Sequence, residues 1–370
     1  MVACSRCAST PSGPLDPTCT EATSSFGAAG TVKVKAEVVA KGLDVPWSLA
    51  FLPGGRMLVT ERPGRIRLIE NGALVAQPIA EPQVSLRAES GLLGLVADPA
   101  FETNRRIYVY LTLESGNAVE RWTVAPDYRS ATKDKDLITG IAAAQFHDGG
   151  RLRFGPDGML YVGTGDARSP DRSQDWDDPA GKILRVNTDG VAPQDNPRPG
   201  KPAFIAGIRN TQGFDWLSPT ELVVTDHGPS GEIAGRSGHD EVNVAKAGDN
   251  LGWPTIWGCE KRDAMVTPRL TWKNAAPPGG AAVYTGSAIS EWKGSLLMGV
   301  LGSKHLQRVV LSADRAKVEK HEVYFDGTFG RLRDVVMGPD RHLYVTTSNC
   351  DGRGTCGADR DQILRIVPGP

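Results

Sequence analysis

Short stretches in which apolar and polar residues alternate recur along this chain, separated by turns built on Pro, Asp and Gly. The first copy covers 47–60 and 64–69; others follow at 94–99 with 106–111, at 152–163 with 182–186, and at 214–225 with 240–244. A weaker fifth copy covers 287–289, 295–299 and 306–310, and the last covers 332–340, 342–346 and 362–366. Period-two alternation over a few residues predicts strands, because successive side chains of a strand point to opposite faces. The copies begin roughly 45 to 75 residues apart, a spacing that suits propeller blades carrying variable loops. We therefore expect an all-β chain, with 33–370 folded as a six-bladed β-propeller of four-stranded antiparallel blades. A two-sheet sandwich has similar turns, but six returns of one phrase argue against it, and radial closure protects sheet edges.

Composition agrees with many turns: 43 Gly and 26 Pro stand among 370 residues. The formal net charge of -1 provides no field that would draw the chain to nucleic acid or to an anionic membrane. No apolar run approaches the roughly 20 residues needed to span a bilayer. Residues 1–32 are rich in Ser, Thr, Pro, Ala and Gly, and read as a disordered or extended tail. Cys4, after small and aliphatic residues, matches the end of a bacterial lipoprotein signal and makes a lipid tether one reading of the tail; an arbitrary leader is the other. Six cysteines favour an exported protein, periplasmic or extracellular. Cys350 and Cys356 flank a loop short enough for a bridge. Cys7 and Cys19 are available to pair with each other, which leaves Cys259 alone. No Cys or His spacing suits zinc.

Propeller function sits in loops at one end of the channel, and four segments there invite a chemical reading. His147, followed by Asp148 and two glycines, has an imidazole able to accept a proton from an alcohol at neutral pH. Asp166 ends the strand that follows and can hold that imidazole in one tautomer. Arg209, Asn210 and Gln212 form a dense donor set suited to a planar polyanion. Arg331 and Arg333 share one face of a strand, where two guanidiniums repel unless an anion lies between them or acids flank them; Asp334 points the other way, which favours a ligand, and a structural salt bridge is the alternative. Each segment also has a plain reading as a surface or capping loop.

Taken together and in this order, the four segments resemble the glucose/sorbosone dehydrogenase family, the soluble PQQ-dependent aldose sugar dehydrogenases. Supporting phrases lie at 46–51, 91–95, 226–229, 249–254 and 362–366, and the likeness covers about 40–367. The resemblance implies a quinoprotein oxidising the C1 hydroxyl of an aldose to the lactone, with PQQ and calcium as cofactors and an external electron acceptor. It implies His147 as general base and Asp166 as the acid that orients it. Arg209, Asn210, Gln212, Arg331 and Arg333 become PQQ contacts, and the backbone carbonyls of Gly228 and Pro229 hold calcium. The family's usual basic residue near 301–304 falls on Gly302, so Lys304 is the candidate for that contact. Phe146 leaves no acid before His147, and Glu89 is a candidate sugar contact. A binding propeller without catalysis would be expected to lack the base or the arginines. A calcium-dependent lactonase would gather carboxylates on the channel axis.

Overall fold

The computed structural model describes residues 13–370; Cys4 and Cys7, and with them the lipid-tether reading, lie outside the described residues. The alternating phrases fold as antiparallel sheets, six among the described residues, arranged as a six-bladed β-propeller. The first sheet starts with Pro46–Leu52 and the second with Leu92–Ala97. The third, fourth and sixth start with Leu152–Phe154, Gly213–Ser218 and Leu332–Met337.

Inner strands of the blades, such as Pro46–Leu52 and Leu160–Gly163, are buried on both faces, whereas outer strands such as Ala131–Ile141 are largely exposed. Every apolar cluster joins two neighbouring blades. Leu58, Ile66 and Leu68 of the first sheet pack on Leu95, Ile107 and Val109 of the second. The ring closes where Leu49, Met57 and Val59 of the first sheet meet Tyr344 and Ile363 of the last. The outer strand of that last sheet is Val34–Leu43, paired antiparallel with Asp361–Pro368, so both ends of the propeller sequence share one blade. Opening the ring would expose this shared interface to water, which favours closure through the apolar area buried.

The fifth blade departs from expectation. Its first strand is Pro278–Val283, and 287–289 lies beyond it, ahead of the short helical turn Ser290–Trp292. The glycines that hid the alternation have a steric cause. A Cβ on Gly279 would stand 2.2 Å from the Arg333 carbonyl oxygen, and one on Gly280 would stand 2.3 Å from Asp334 Oδ1.

Residues 13–32 run extended along the propeller. Thr20–Ala22 adds a parallel strand outside Leu270–Trp272, and Ala28–Ala29 does the same for the fifth sheet. This strap places Cys19 in a disulfide with Cys259, which corrects both the Cys7–Cys19 pairing and the free Cys259 expected from sequence. The partner 240 residues away is near in space because the strap follows the fourth blade's edge. Cys350 and Cys356 are joined as expected.

Candidate active site

In an antiparallel blade the start of the first strand and the end of the second lie at the same end of the sheet. His147 and Arg209 to Gln212 precede first strands, Arg331 and Arg333 lie where one begins, and Asp166 follows a second strand, Leu160–Gly163. The fold therefore gathers them at one mouth of the channel. There a cavity of about 490 Å3 is lined by His147, Arg209, Gln212, Arg331 and Arg333, together with Glu89, Phe146, Arg168, His227, Glu232 and Arg353.

His147 occupies a left-handed backbone conformation, φ 68°, which a non-glycine residue adopts at some cost. The two loops around it touch backbone to backbone. A Cβ on Gly149 would meet Thr164 at 2.5 Å, and one on Gly165 would meet the His147 carbonyl oxygen at 2.0 Å. That contact brings His147 Nδ1 to 2.7 Å from Asp166 Oδ1. Asp166 also accepts the Arg168 N–H at 2.7 Å and the Trp253 indole N–H at 2.8 Å. Both oxygens of this fully buried side chain are engaged as acceptors, Oδ1 by His147 and the Arg168 N–H and Oδ2 by Trp253. The imidazole proton therefore sits on Nδ1, and Nε2 is the basic nitrogen.

The arginine pair is arranged as the strand alternation predicts, with an addition. Asp334 turns away and binds Arg151 at 2.9 Å, while its other oxygen accepts the Leu49 N–H at 2.8 Å. Between the two guanidiniums stands Asp351, from the loop closed by Cys350 and Cys356, at 2.9 Å from Arg331 and 3.5 Å from Arg333. Burial opposes ionisation of Asp351, but Arg331 and Arg333 prevail and hold its carboxyl below the usual range. One carboxylate is not enough for the pair. Burial, with Arg331 alongside, pushes Arg333 down to about 10 despite Asp351. Arg209 is paired with Glu232, whose carboxyl is likewise lowered by that guanidinium against the effect of burial. The cavity wall carries five arginines against two glutamates, a positive excess that suits a polyanionic guest.

Other sequence candidates fall elsewhere. Asn210 is fully buried behind the wall, where its Oδ1 accepts the Gly149 N–H at 2.9 Å and its Nδ2 donates to His227 Nδ1 at 3.3 Å. It supports the loop that carries His147. Lys304 lines a separate cavity of about 580 Å3, with Gly330 and Asn349, and not the candidate site. Gly228 and Pro229 are buried immediately before the cavity-lining Ser230, Gly231 and Glu232, and the Gly228 N–H donates to Asp240 Oδ1 at 3.0 Å. Among the described residues no group of three or more His, Cys, Asp or Glu is gathered for a metal. A cation there would rest on backbone oxygens and on its guest.

Reading by segment missed Asp351, Glu232, His227 and Trp253 as site residues. The His227 and Trp253 phrases were visible, but nothing in them announced contact with the site. Burial pushes His227 down to about 4, so it is neutral, and its Nε2–H donates to the Pro278 carbonyl at 2.7 Å. Glu89 accepts from Arg353 at 2.7 Å at the mouth, and the Arg353 guanidinium lies 5.4 Å from the centre of the Phe146 ring.

The Glucose / Sorbosone dehydrogenase family model matches residues 43–364. The aldose sugar dehydrogenase YliI of Escherichia coli (strain K12) is 31% identical over 92% of this chain and 94% of its own. Two solved structures superpose closely. A putative oxidoreductase (glucose dehydrogenase) from Thermus thermophilus is 41% identical, with TM-score 0.82 over 90% of this chain and all of the other. The PQQ-bound aldose sugar dehydrogenase of Streptomyces coelicolor is 33% identical, with TM-score 0.81 over 92% and 99% of the two chains.

Proposed function

The chain belongs to the glucose/sorbosone dehydrogenase family, and on that premise we propose that it is a PQQ-type oxidoreductase that oxidises the C1 hydroxyl of aldose sugars to the lactone. The observation that carries the reading is His147, backed by Asp166, in the wall of a cavity that also carries five arginines. PQQ is a planar tricarboxylate, and the buried Arg209, Arg331 and Arg333 with Gln212 fit its charge and its carbonyls. The backbone carbonyls of Gly228 and Pro229, next to the cavity-lining Ser230, are the donors proposed for calcium, an ion that takes carbonyl oxygens.

His147 Nε2 takes the proton of the C1 hydroxyl, and the imidazolium that forms is stabilised by Asp166 at 2.7 Å. Because Asp166 holds Nδ1–H, the basic nitrogen is not lost to the other tautomer. Arg331 and Arg333, braced by Asp351, and Arg209, braced by Glu232, would hold the carboxylates of a bound PQQ. PQQ, when bound, would supply the electron sink for the hydride, and calcium would supply Lewis-acid polarisation. Glu89 and Arg353 at the mouth are candidate sugar contacts. The two disulfides fit an exported protein in an oxidising compartment. A binding propeller without catalysis is disfavoured by the intact base and arginines.

Dye reduction by purified protein, with PQQ, calcium and an aldose added singly and together, tests this. Activity that requires all three additions is expected; no activity with any of glucose, galactose, xylose or arabinose refutes the reading.

A further inference from the structure

Two separately built parts of the molecule meet at Asp166. One is its own loop, which presents Oδ1 to His147. The other is the loop between Asp240–Ala245 and Leu270–Trp272 of the fourth blade, which brings the Trp253 indole N–H to 2.8 Å from Oδ2. This loop is held at many points. The Trp253 N–H donates to the Gly207 carbonyl at 3.1 Å, and the Trp253 carbonyl accepts from Gln174 Nε2 at 2.6 Å. Gln174 and Asn250 exchange amide hydrogen bonds at 3.1 and 2.8 Å. Arg236 donates to the Pro254 carbonyl at 2.6 Å, and Cys259 is joined to Cys19. The indole is 5% exposed, and the Arg209 guanidinium lies 5.6 Å from its ring centre. A buried indole N–H needs some acceptor, and a backbone carbonyl would satisfy it. Here the acceptor is the carboxylate that orients the base, and the same ring lies under an arginine of the cofactor cavity.

We infer that Trp253 is a positioning residue for this site: its N–H fixes the plane of the Asp166 carboxylate, and its ring supports Arg209. With Oδ2 held by the indole, Oδ1 stays on the Nδ1 side of His147 and keeps the proton there. Without the indole N–H, Oδ2 is a buried unpaired acceptor, and the carboxylate is anchored through Oδ1 alone, by His147 and the Arg168 N–H, so its plane is less tightly fixed. The imidazole's preference for Nδ1–H then weakens, and part of the population carries its proton on Nε2, where it cannot act as a base. The kinetic consequence rests on the proposed dehydrogenase activity; the structural consequence does not.

Trp253→Phe tests this, because it keeps a ring beneath Arg209 and removes the N–H. Long-range proton–nitrogen NMR spectra of the imidazoles, without cofactor, are expected to show His147 as one Nδ1–H tautomer in the parent and as a mixture in the variant. Loaded with PQQ and calcium, the variant is expected to lose about 10- to 100-fold in kcat, the loss of one hydrogen bond to a charged group, with the aldose KM held within about twofold. A single Nδ1–H tautomer in the folded variant overturns the inference, whatever happens to kcat. Should the variant fail to fold, the parent decides. The Trp253 indole N–H resonance must move with the same pH midpoint as the His147 ring, since both bond one carboxylate. An indole resonance indifferent to that titration overturns the inference. If the loaded parent oxidises no aldose, the functional reading fails, while both spectroscopic arms still decide the role of Trp253.

Discussion

Replacing Arg333 by Lys separates charge from geometry at the arginine pair. Arg333 is 6% exposed, and burial beside Arg331 pushes it well below an ordinary guanidinium, down to about 10. A lysine begins near 10.4, so a comparable penalty places its ammonium at about 8. The substitution also removes the forked contacts, Nε to Ser348 Oγ at 3.0 Å and Nη1 to Gln212 Oε1 at 2.9 Å. One charged hydrogen-bonding group is worth about 1.5–3 kcal/mol, so PQQ affinity at pH 7 is expected to fall about 10- to 100-fold. At pH 9 about nine-tenths of that lysine would be neutral in the free protein, which adds a further loss of about tenfold. The parent guanidinium keeps its charge over this range. Titrating PQQ into protein, followed by quenching of tryptophan fluorescence at pH 7 and pH 9, measures both effects. A lysine variant that binds PQQ as the parent does, or with no added loss at pH 9, refutes a cofactor carboxylate at Arg333.

His147→Ala is expected to lower kcat by about 10²–10⁴-fold while PQQ affinity is largely kept; turnover near that of the parent removes the base from the account. Stripping calcium from the loaded protein with excess chelator is expected to abolish dye reduction and lower Tm, because a bound ion stabilises the native state by mass action. Unchanged activity and Tm would exclude the metal. Lys182 is fully buried, its Nζ donates to the carbonyls of Arg172 and Ala180 at 2.8 and 2.7 Å, and burial pushes it down to about 8. Its folded pKa lies below its unfolded value, so the stabilisation it contributes is present above about 10.5 and lost as pH falls through about 8. Against Lys182→Met, the parent should gain stability in urea unfolding between pH 7.5 and 9.5; a constant difference across that range contradicts the assignment.

The propeller was legible because its short strands alternate apolar and polar positions and the turns between them repeat. The fifth blade was obscured where Gly279 and Gly280 admit the backbone of the sixth, so its strand lost the alternation that marks a strand. At the site, His147, Asp166 and the two strand arginines were legible because each stands beside a recognisable strand and spacing sets its direction. Their supports were not. Asp351 and Trp253 reach the site from loops whose local sequence says nothing of what they face. Lys304 was assigned by adjacency along the chain, yet the turn at 301–305 delivers it to the neighbouring cavity. Cys19 was paired by nearness in sequence, whereas the strap carries it to Cys259.

The central claim is that this cavity takes hydride from C1 of an aldose while His147 takes the hydroxyl proton. A single turnover of PQQ- and calcium-loaded protein with glucose, without dye and without oxygen, tests it most directly. The account predicts loss of the oxidised-quinone absorbance with an equal amount of lactone formed, slowed by deuterium at C1 and nearly abolished in His147→Ala. Bound PQQ that keeps its absorbance in the presence of sugar, or a product oxidised at another carbon, would contradict it.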